Sequence, residues 1–162
     1  MTAEFAIRLT KPNDAPMLRE IAVLSFSKFM GFFAVQSLFS GEGQVLVCEA
    51  QGKVVGFAKL IDFQIARVKF GCILWIAVHP SFRRKGVATA LTAQGILRLK
   101  QEGAKAVFAS VQRRKTGALT VMMRNGFRRV GFRELWRLFG WRVFEIYGDI
   151  WLAPGEVVLI HD

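Results

Sequence analysis

The stretch Ile76-Ala77-Val78-His79-Pro80-Ser81-Phe82-Arg83-Arg84-Lys85-Gly86-Val87-Ala88-Thr89-Ala90-Leu91 has the residue types and order to hold a phosphate. An apolar strand stops at His79-Pro80, a basic turn follows, and a helix opens on small residues. The first turn of a helix presents unpaired backbone N–H groups and about half a positive charge. Phosphate suits that geometry. Gly86 and Ala88 keep bulk off the turn, so backbone can approach a pyrophosphate closely. Arg83, Arg84 and Lys85 add charge. A charge-assisted hydrogen bond contributes about 1.5–3 kcal/mol, so losing one weakens binding about tenfold or more. The spacing fits neither G-x-x-x-x-G-K-[ST] nor G-x-G-x-x-G. On the residues alone, an ordinary strand-to-helix crossover with solvated basic side chains stands as the alternative.

Arg83-Arg84-Lys85-Gly86-Val87-Ala88 fits the pattern Arg/Gln-x-x-Gly-x-Gly/Ala at every fixed position. Val78, Pro80, Arg83, Gly86, Val87, Ala88 and Leu91 fit the wider pattern V-x-P-x-x-R-x-x-G-[IV]-[GA]-x-x-L. A second block follows about 35 residues later, through Val111, Ala118, Val121, Arg124 and Gly126-Phe127. In these blocks the chain resembles the GNAT N-acetyltransferase superfamily, whose acyl-CoA signature is the first pattern. The resemblance spans nearly the whole chain and is strong over 73–132. Ile76-Ala77-Val78 is most similar to the protein N-terminal acetyltransferase branch.

The resemblance implies an α+β fold, a central mixed and mostly antiparallel sheet flanked by about four helices. It implies one acyl-CoA N-acyltransferase domain over residues 1–162. The implied reaction moves an acetyl group from acetyl-CoA, a cosubstrate, to a primary amine by direct attack in a ternary complex. The pyrophosphate would rest on backbone N–H groups from Arg84 to Thr89. The pantetheine would pair with Ile76, Ala77 and Val78, and an N–H at Ile76 or Val78 would polarise the thioester carbonyl. The implied cofactor-binding set is therefore Ile76, Ala77, Val78, Arg83, Arg84, Lys85, Gly86, Val87, Ala88, Thr89 and Lys115. No metal and no protein nucleophile enter.

The acid/base half departs from the family. Lys115 stands where members often carry Asn, and Met122 where many carry a Tyr general acid. Methionine has no proton to donate. Ser110 replaces the Glu base of enzymes that modify ribosomal proteins, and Cys72 replaces another common Glu. The catalytic acid and base are thus unassigned. Tyr147, the only tyrosine, is a replacement acid, a packing residue or part of a substrate wall. His79 lies toward the pyrophosphate, and His161 reads as structural or exposed. Asp62 and Glu49 could reach an acceptor pocket from neighbouring strands. Cys72 has no basic residue beside it in sequence to activate a thiolate. A base relayed through water is a further route. An acyl-CoA-binding or sensing protein without turnover is the alternative these departures leave.

The elements that must position these residues follow from hydrophobic period and turn chemistry. Ala3–Leu9 alternates as a strand, and Pro12-Asn13-Asp14 offers a cap for a helix to about Ser27. A short helix is expected over Phe32–Phe39, then a hairpin of Val45–Ala50 and Val54–Asp62 about Gln51-Gly52-Lys53. Arg67–Val78 is a strand, Gly86–Gln101 a helix, Lys105–Val111 a strand and Thr116–Arg124 a helix stopped by Asn125-Gly126. Phe127–Phe132 and Glu156–His161 read as strands. Residues 133–152 are ambiguous.

The chain has 162 residues, 52% of them hydrophobic, which excludes a disordered protein. Its net charge of +11 lies entirely after residue 66, where 17 basic residues face 6 acidic ones. Such a surplus suggests an anionic partner. CoA phosphates would satisfy part of it, while Arg128, Arg129, Arg133, Arg137 and Arg142 stay without an account. Nucleic acid is not expected, because aromatics do not interleave with the basic runs. Residues 21–39 are interrupted by Lys28, Gln36 and several serines, so no membrane partner is expected. Cys48 and Cys72 make no zinc spacing or disulfide framework. With no basic n-region ahead of an apolar run, a cytoplasmic protein is expected. A homodimer is an open possibility. The aromatic segment Trp136 to Trp151 reads as core, acceptor wall or subunit interface.

Overall fold

The computed structural model describes residues 4–162. Its strands are β1 (Phe5–Leu9), β2 (Gln44–Ala50), β3 (Lys53–Ile65), β4 (Val68–Val78), β5 (Val107–Gln112), β6 (Arg128–Arg129) and β7 (Glu156–His161). Its helices are α1 (Ala15–Ser25), α2 (Lys28–Leu38), α3 (Val87–Gln101), α4 (Thr116–Arg124), α5 (Phe132–Phe139) and α6 (Val143–Asp149). The strands form one sheet in the order β1-β2-β3-β4-β5-β7-β6. Every pair is antiparallel except β4 with β5.

Alternation along β3 sorts the layers. Ala58 and Leu60 face the core under α3. Phe57 faces the opposite side, under α1 and α2. Ile61, Phe63 and Ile65 share that second side and meet α5 and α6. Helix α3 lies unusually close to the sheet. A Cβ at Gly56 would meet the Ala77 carbonyl oxygen and Val87 Cγ1, both at 3.0 Å. Leu91, fully buried, fills the space this approach leaves.

Several boundaries move from the sequence reading, each for a local reason. Ala3 lies outside the described residues. Helix α2 starts at Lys28 rather than Phe32, because Ser27 caps it by accepting from Met30 N at 3.3 Å. Asp14 does not cap α1 with its side chain. Its carboxylate accepts from Lys11 N at 2.7 Å and pairs with Arg8 at 2.8 Å, and this pairing lowers its pKa to about 2. Strand β3 runs on to Ile65 because Ala66 and Arg67 turn the chain at φ 50° and 68°. That is a tight turn of the kind usually built from Asn-Gly, here made without either.

The expected strand Phe127–Phe132 shrinks to Arg128–Arg129, and residues 132–149 supply two helices beyond the four expected. Leu135 is fully buried in α5 and Phe139 packs beside it, as do Val143 and Ile146 of α6. Gly140, at φ 58°, ends α5. The two helices close the core over β4, β5 and β7.

Candidate functional site

Strand β4 pairs with β5 only through Gly71–Val107, Cys72–Phe108 and Ile73–Ala109. Beyond that the strands part. The pairing of β3 with β4 slips where Lys59 faces Trp75 but Leu60 faces Ile73, so Leu74 is an extra residue on β4. A bulge bends its strand, and this one sits where the parallel pairing ends. His79 N donates to Val55 O at 2.8 Å. Alternation then turns Ala77 toward β3, and the N–H groups of Ile76 and Val78 toward the opening.

A cavity of about 320 Å³ occupies the opening. Its walls include Trp75 and Ile76 of β4, Ser110 and Gln112 of β5, and Lys115 and Met122 at α4. Ser25, Phe26 and Ser27, at the α1–α2 junction, close one side. Phe26 packs edge-on against Trp75 at 5.3 Å between centroids, and Lys115 Nζ lies over Phe26 at 5.4 Å. The buried Trp75 Nε1–H has no acceptor among the described residues.

The basic turn follows at the end of β4. Arg84 and Gly86 both adopt positive φ, 60° and 84°. A non-glycine residue there is uncommon, and such alternation makes a concave nest of N–H groups. Gly86 is the N-cap of α3 and offers no side-chain acceptor, so the first-turn N–H groups of Val87, Ala88 and Thr89 stay available. Arg83 differs from its neighbours. Its Nε donates to Val78 O at 3.1 Å and its Nη2 to Ser25 Oγ at 3.4 Å. Arg83 therefore ties the end of β4 to α1. Arg84 and Lys85, exposed like Arg83, make no side-chain hydrogen bond among the described residues, and Lys85 lies over Phe82.

The structure adds one residue the sequence reading missed. Glu156, at the start of β7, contributes the only carboxylate to the cavity wall among the described residues. It is the register partner of Gln112, and Ser110 pairs with Val158, two residues on. Glu156 and Ser110 are thus diagonal neighbours on one sheet face, within reach of a long side chain. Glu156 Oε2 also accepts from Ala153 N at 2.9 Å, which fixes the carboxylate. Only the insertion of β7 beside β5 creates this proximity.

The weighed substitutes lie elsewhere. Tyr147, half-buried on α6, packs at the edge of the core with its ring 6.4 Å from Phe132, and burial raises its pKa. His79 Nδ1 accepts from Ser81 N. His161 packs edge-on against Phe127. Asp62 pairs with Lys69 at 3.5 Å and Glu49 with Arg8 at 2.9 Å. Cys72 is buried, which pushes its thiol far above the usual range and makes it inert. Burial pushes the Cys48 thiol up to about 11. Met122 is buried in the cavity wall and donates no proton. Among the described residues no three His, Cys, Asp or Glu side chains gather as metal ligands. No described helix is long and apolar enough to cross a membrane.

Comparison with known proteins agrees with this geometry. An N-alpha-acetyltransferase of Sulfurisphaera tokodaii is 27% identical over 142 residues, covering 82% of each chain. The structure of a Bacillus subtilis acetyltransferase in complex with CoA superposes with a TM-score of 0.68 at 18% identity, covering 98% of this chain and 99% of that one. A GNAT family acetyltransferase of Elizabethkingia anophelis with acetyl-CoA bound gives 0.67 at 17% identity, covering 98% and 97%. These two solved structures share the fold. The model of the Acetyltransferase (GNAT) family matches residues 15–127, the stretch that holds the β4 bulge, the basic turn and the second block, so the chain belongs to that family.

Proposed function

We propose that the protein transfers an acetyl group from acetyl-CoA to a primary amine within one acyltransferase domain spanning residues 1–162. The observation that carries this reading is the joining of two features. A nest of backbone N–H groups at Arg84–Thr89 lies at the end of a strand whose free edge opens into a cavity. The nest suits the pyrophosphate of CoA. The free edge at Ile76, Ala77 and Val78 suits the amides of the pantetheine. The inward N–H groups there suit a thioester carbonyl that gains negative charge during attack. Lys115 adds positive charge at the cavity wall.

The amine nitrogen forms a bond to the acetyl carbon, the carbon–sulfur bond breaks, and the amine gives up one proton. Glu156 is the group placed to take that proton, directly or through water. Met122 cannot protonate the leaving sulfur. A thiol is acidic enough to leave as thiolate beside Lys115 and to take its proton from water. The carboxylate in the opening favours transfer over binding without turnover. The N-alpha-acetyltransferase relative points to an α-amine as acceptor. The two buried free thiols suit a reducing, cytoplasmic setting.

Two measurements test the reading. Acetyl-CoA should raise the melting temperature of the wild type. A screen of amines, α-amino peptides first, should release free CoA thiol. A protein that neither binds acetyl-CoA nor releases thiol with any amine would remove it.

A further inference from the structure

Two features of the sequence are not absorbed by acetyl transfer: the aromatic segment after residue 132 and the arginines around it. In the fold they form one surface. Leu135, Val143, Ile146 and Ile150 close the core beneath α5 and α6, so the core needs no further rings there. Yet Phe132, Trp136, Trp141 and Phe144 stand 46–63% exposed. Three of them touch. Phe132 lies 5.6 Å from Trp136 and 6.1 Å from Phe144, and Trp136 lies 6.3 Å from Phe144. Exposed apolar groups scattered singly need no explanation, but a contiguous aromatic patch does.

Helical spacing sets the rim of this patch. With Leu135 and Phe139 turned to the core, Phe132 and Trp136 lie on one flank of α5, and Arg133 and Arg137 lie outward beside them. Arg129, Arg133 and Arg137 make no ion pair among the described residues, whereas Glu134 is held by Arg128 and Glu145 by Arg142. The surface is thus apolar at its centre and cationic at its edge. Asp149 of α6 makes no ion pair among the described residues, but it lies on the flank of Glu145, away from Phe144.

We infer that the α5–α6 face docks on an anionic lipid surface, with the rings of Phe132, Trp136 and Phe144 at the headgroup boundary and Arg133 and Arg137 on lipid phosphates. A short helix with aromatics on one flank and arginines beside them is the pattern that lies in a bilayer interface. Charge decides against a second copy of the chain. In a two-fold interface the same patch meets itself, so the rim of Arg133 and Arg137 would meet a second cationic rim, with Glu134 and Glu145 already held by Arg128 and Arg142. An anionic headgroup layer supplies the opposite charge, and each arginine near it adds attraction. This departs from the expectation of no membrane partner, whose ground was the lack of a spanning segment. A surface helix requires none.

The test is sedimentation of the full-length protein with vesicles at physiological ionic strength, comparing phosphatidylcholine alone with vesicles holding about one-third phosphatidylglycerol. Tryptophan emission is read in parallel. The protein should sediment only with the anionic vesicles, and its emission should shift to the blue. The double variant Trp136→Ser/Phe144→Ser should lose at least about tenfold in partition and the blue shift with it. Arg133→Ala/Arg137→Ala should lose about thirtyfold. The arginine pair is exposed, so this second variant keeps the test decisive if the first fails to unfold cooperatively. Three results would overturn the inference. The wild type stays with the supernatant, either folded variant binds like the wild type, or the wild type is a dimer that the ring variant separates into monomers. None of these depends on acetyl transfer.

Discussion

Two arginine-rich regions do different work in this protein. At 83–85 the backbone matters most. Arg84 and Gly86 hold positive φ, Arg83 is spent on Val78 O and Ser25, and no side chain caps the first turn of α3. At 128–142 the side chains matter. Arg128 is tied to Glu134 and Asp162, while Arg129, Arg133 and Arg137 are free of ion pairs among the described residues. A basic run is therefore not one kind of signal. Where strain and glycine accompany it, the run marks a turn built for an anion close to the backbone. Where aromatic rings accompany it on helix flanks, it marks a surface.

The sharpest way to break this contrast is Gly86→Glu. A side chain at φ 84° is strained, and a carboxylate there repels phosphate. Its Cβ would find open space, with only Phe5 Cζ at 3.9 Å, so the fold itself should survive. The thermal shift with acetyl-CoA should vanish while cooperative unfolding remains. A variant that keeps the shift would show that the nest does not hold the cofactor.

Next in size is Glu156→Gln. Removing a general base costs about 10²–10⁴-fold in rate. We expect at least a hundredfold loss in kcat, with KM for acetyl-CoA unchanged, because Glu156 lies apart from the nest. Equal losses in cofactor binding and rate would instead make it a structural residue.

These two residues also mark what could be read before the fold was seen. The turn at 83–88 is local: its strand, glycine and helix start are contiguous, so their spacing announces the nest. Glu156 reaches the cavity only because β7 enters the sheet between β5 and β6. Nothing within residues 150–162 announces that. Helices α5 and α6 were hidden for another reason. Eight residues of α5 hold barely two turns, too few for a period to separate helix from strand, and tertiary burial of Leu135 decides the matter. The turn at Ala66-Arg67 lacks the Asn or Gly that would have flagged positive φ.

A smaller effect sharpens the Glu156 assignment. Ser110 sits diagonally from it on the same face. In the Glu156→Gln background, Ser110→Glu should recover about tenfold of the lost rate, since a carboxylate then enters the opening from β5. No recovery would mean that position, rather than the presence of a carboxylate, governs the step. Smaller again is Arg83→Lys. It keeps the charge but loses the fork that reaches Val78 O and Ser25. KM for acetyl-CoA should rise a few-fold, about the worth of one lost hydrogen bond. An unchanged KM would return Arg83 to the role of a simple cation.

The smallest expected effect tests the boundary between the two regions. Tyr147 is the chain's one tyrosine and the obvious replacement for a missing acid. Its ring packs against Phe132, on the surface region's side, and burial holds its pKa above the usual value, which makes proton donation harder. It is absent from the cavity wall. Tyr147→Phe removes only the hydroxyl and keeps the ring, so kcat should stay within about twofold of the wild type. A loss of a hundredfold would carry α6 into the active site during turnover, and the separation between a backbone-built cofactor turn and a side-chain-built surface would no longer stand.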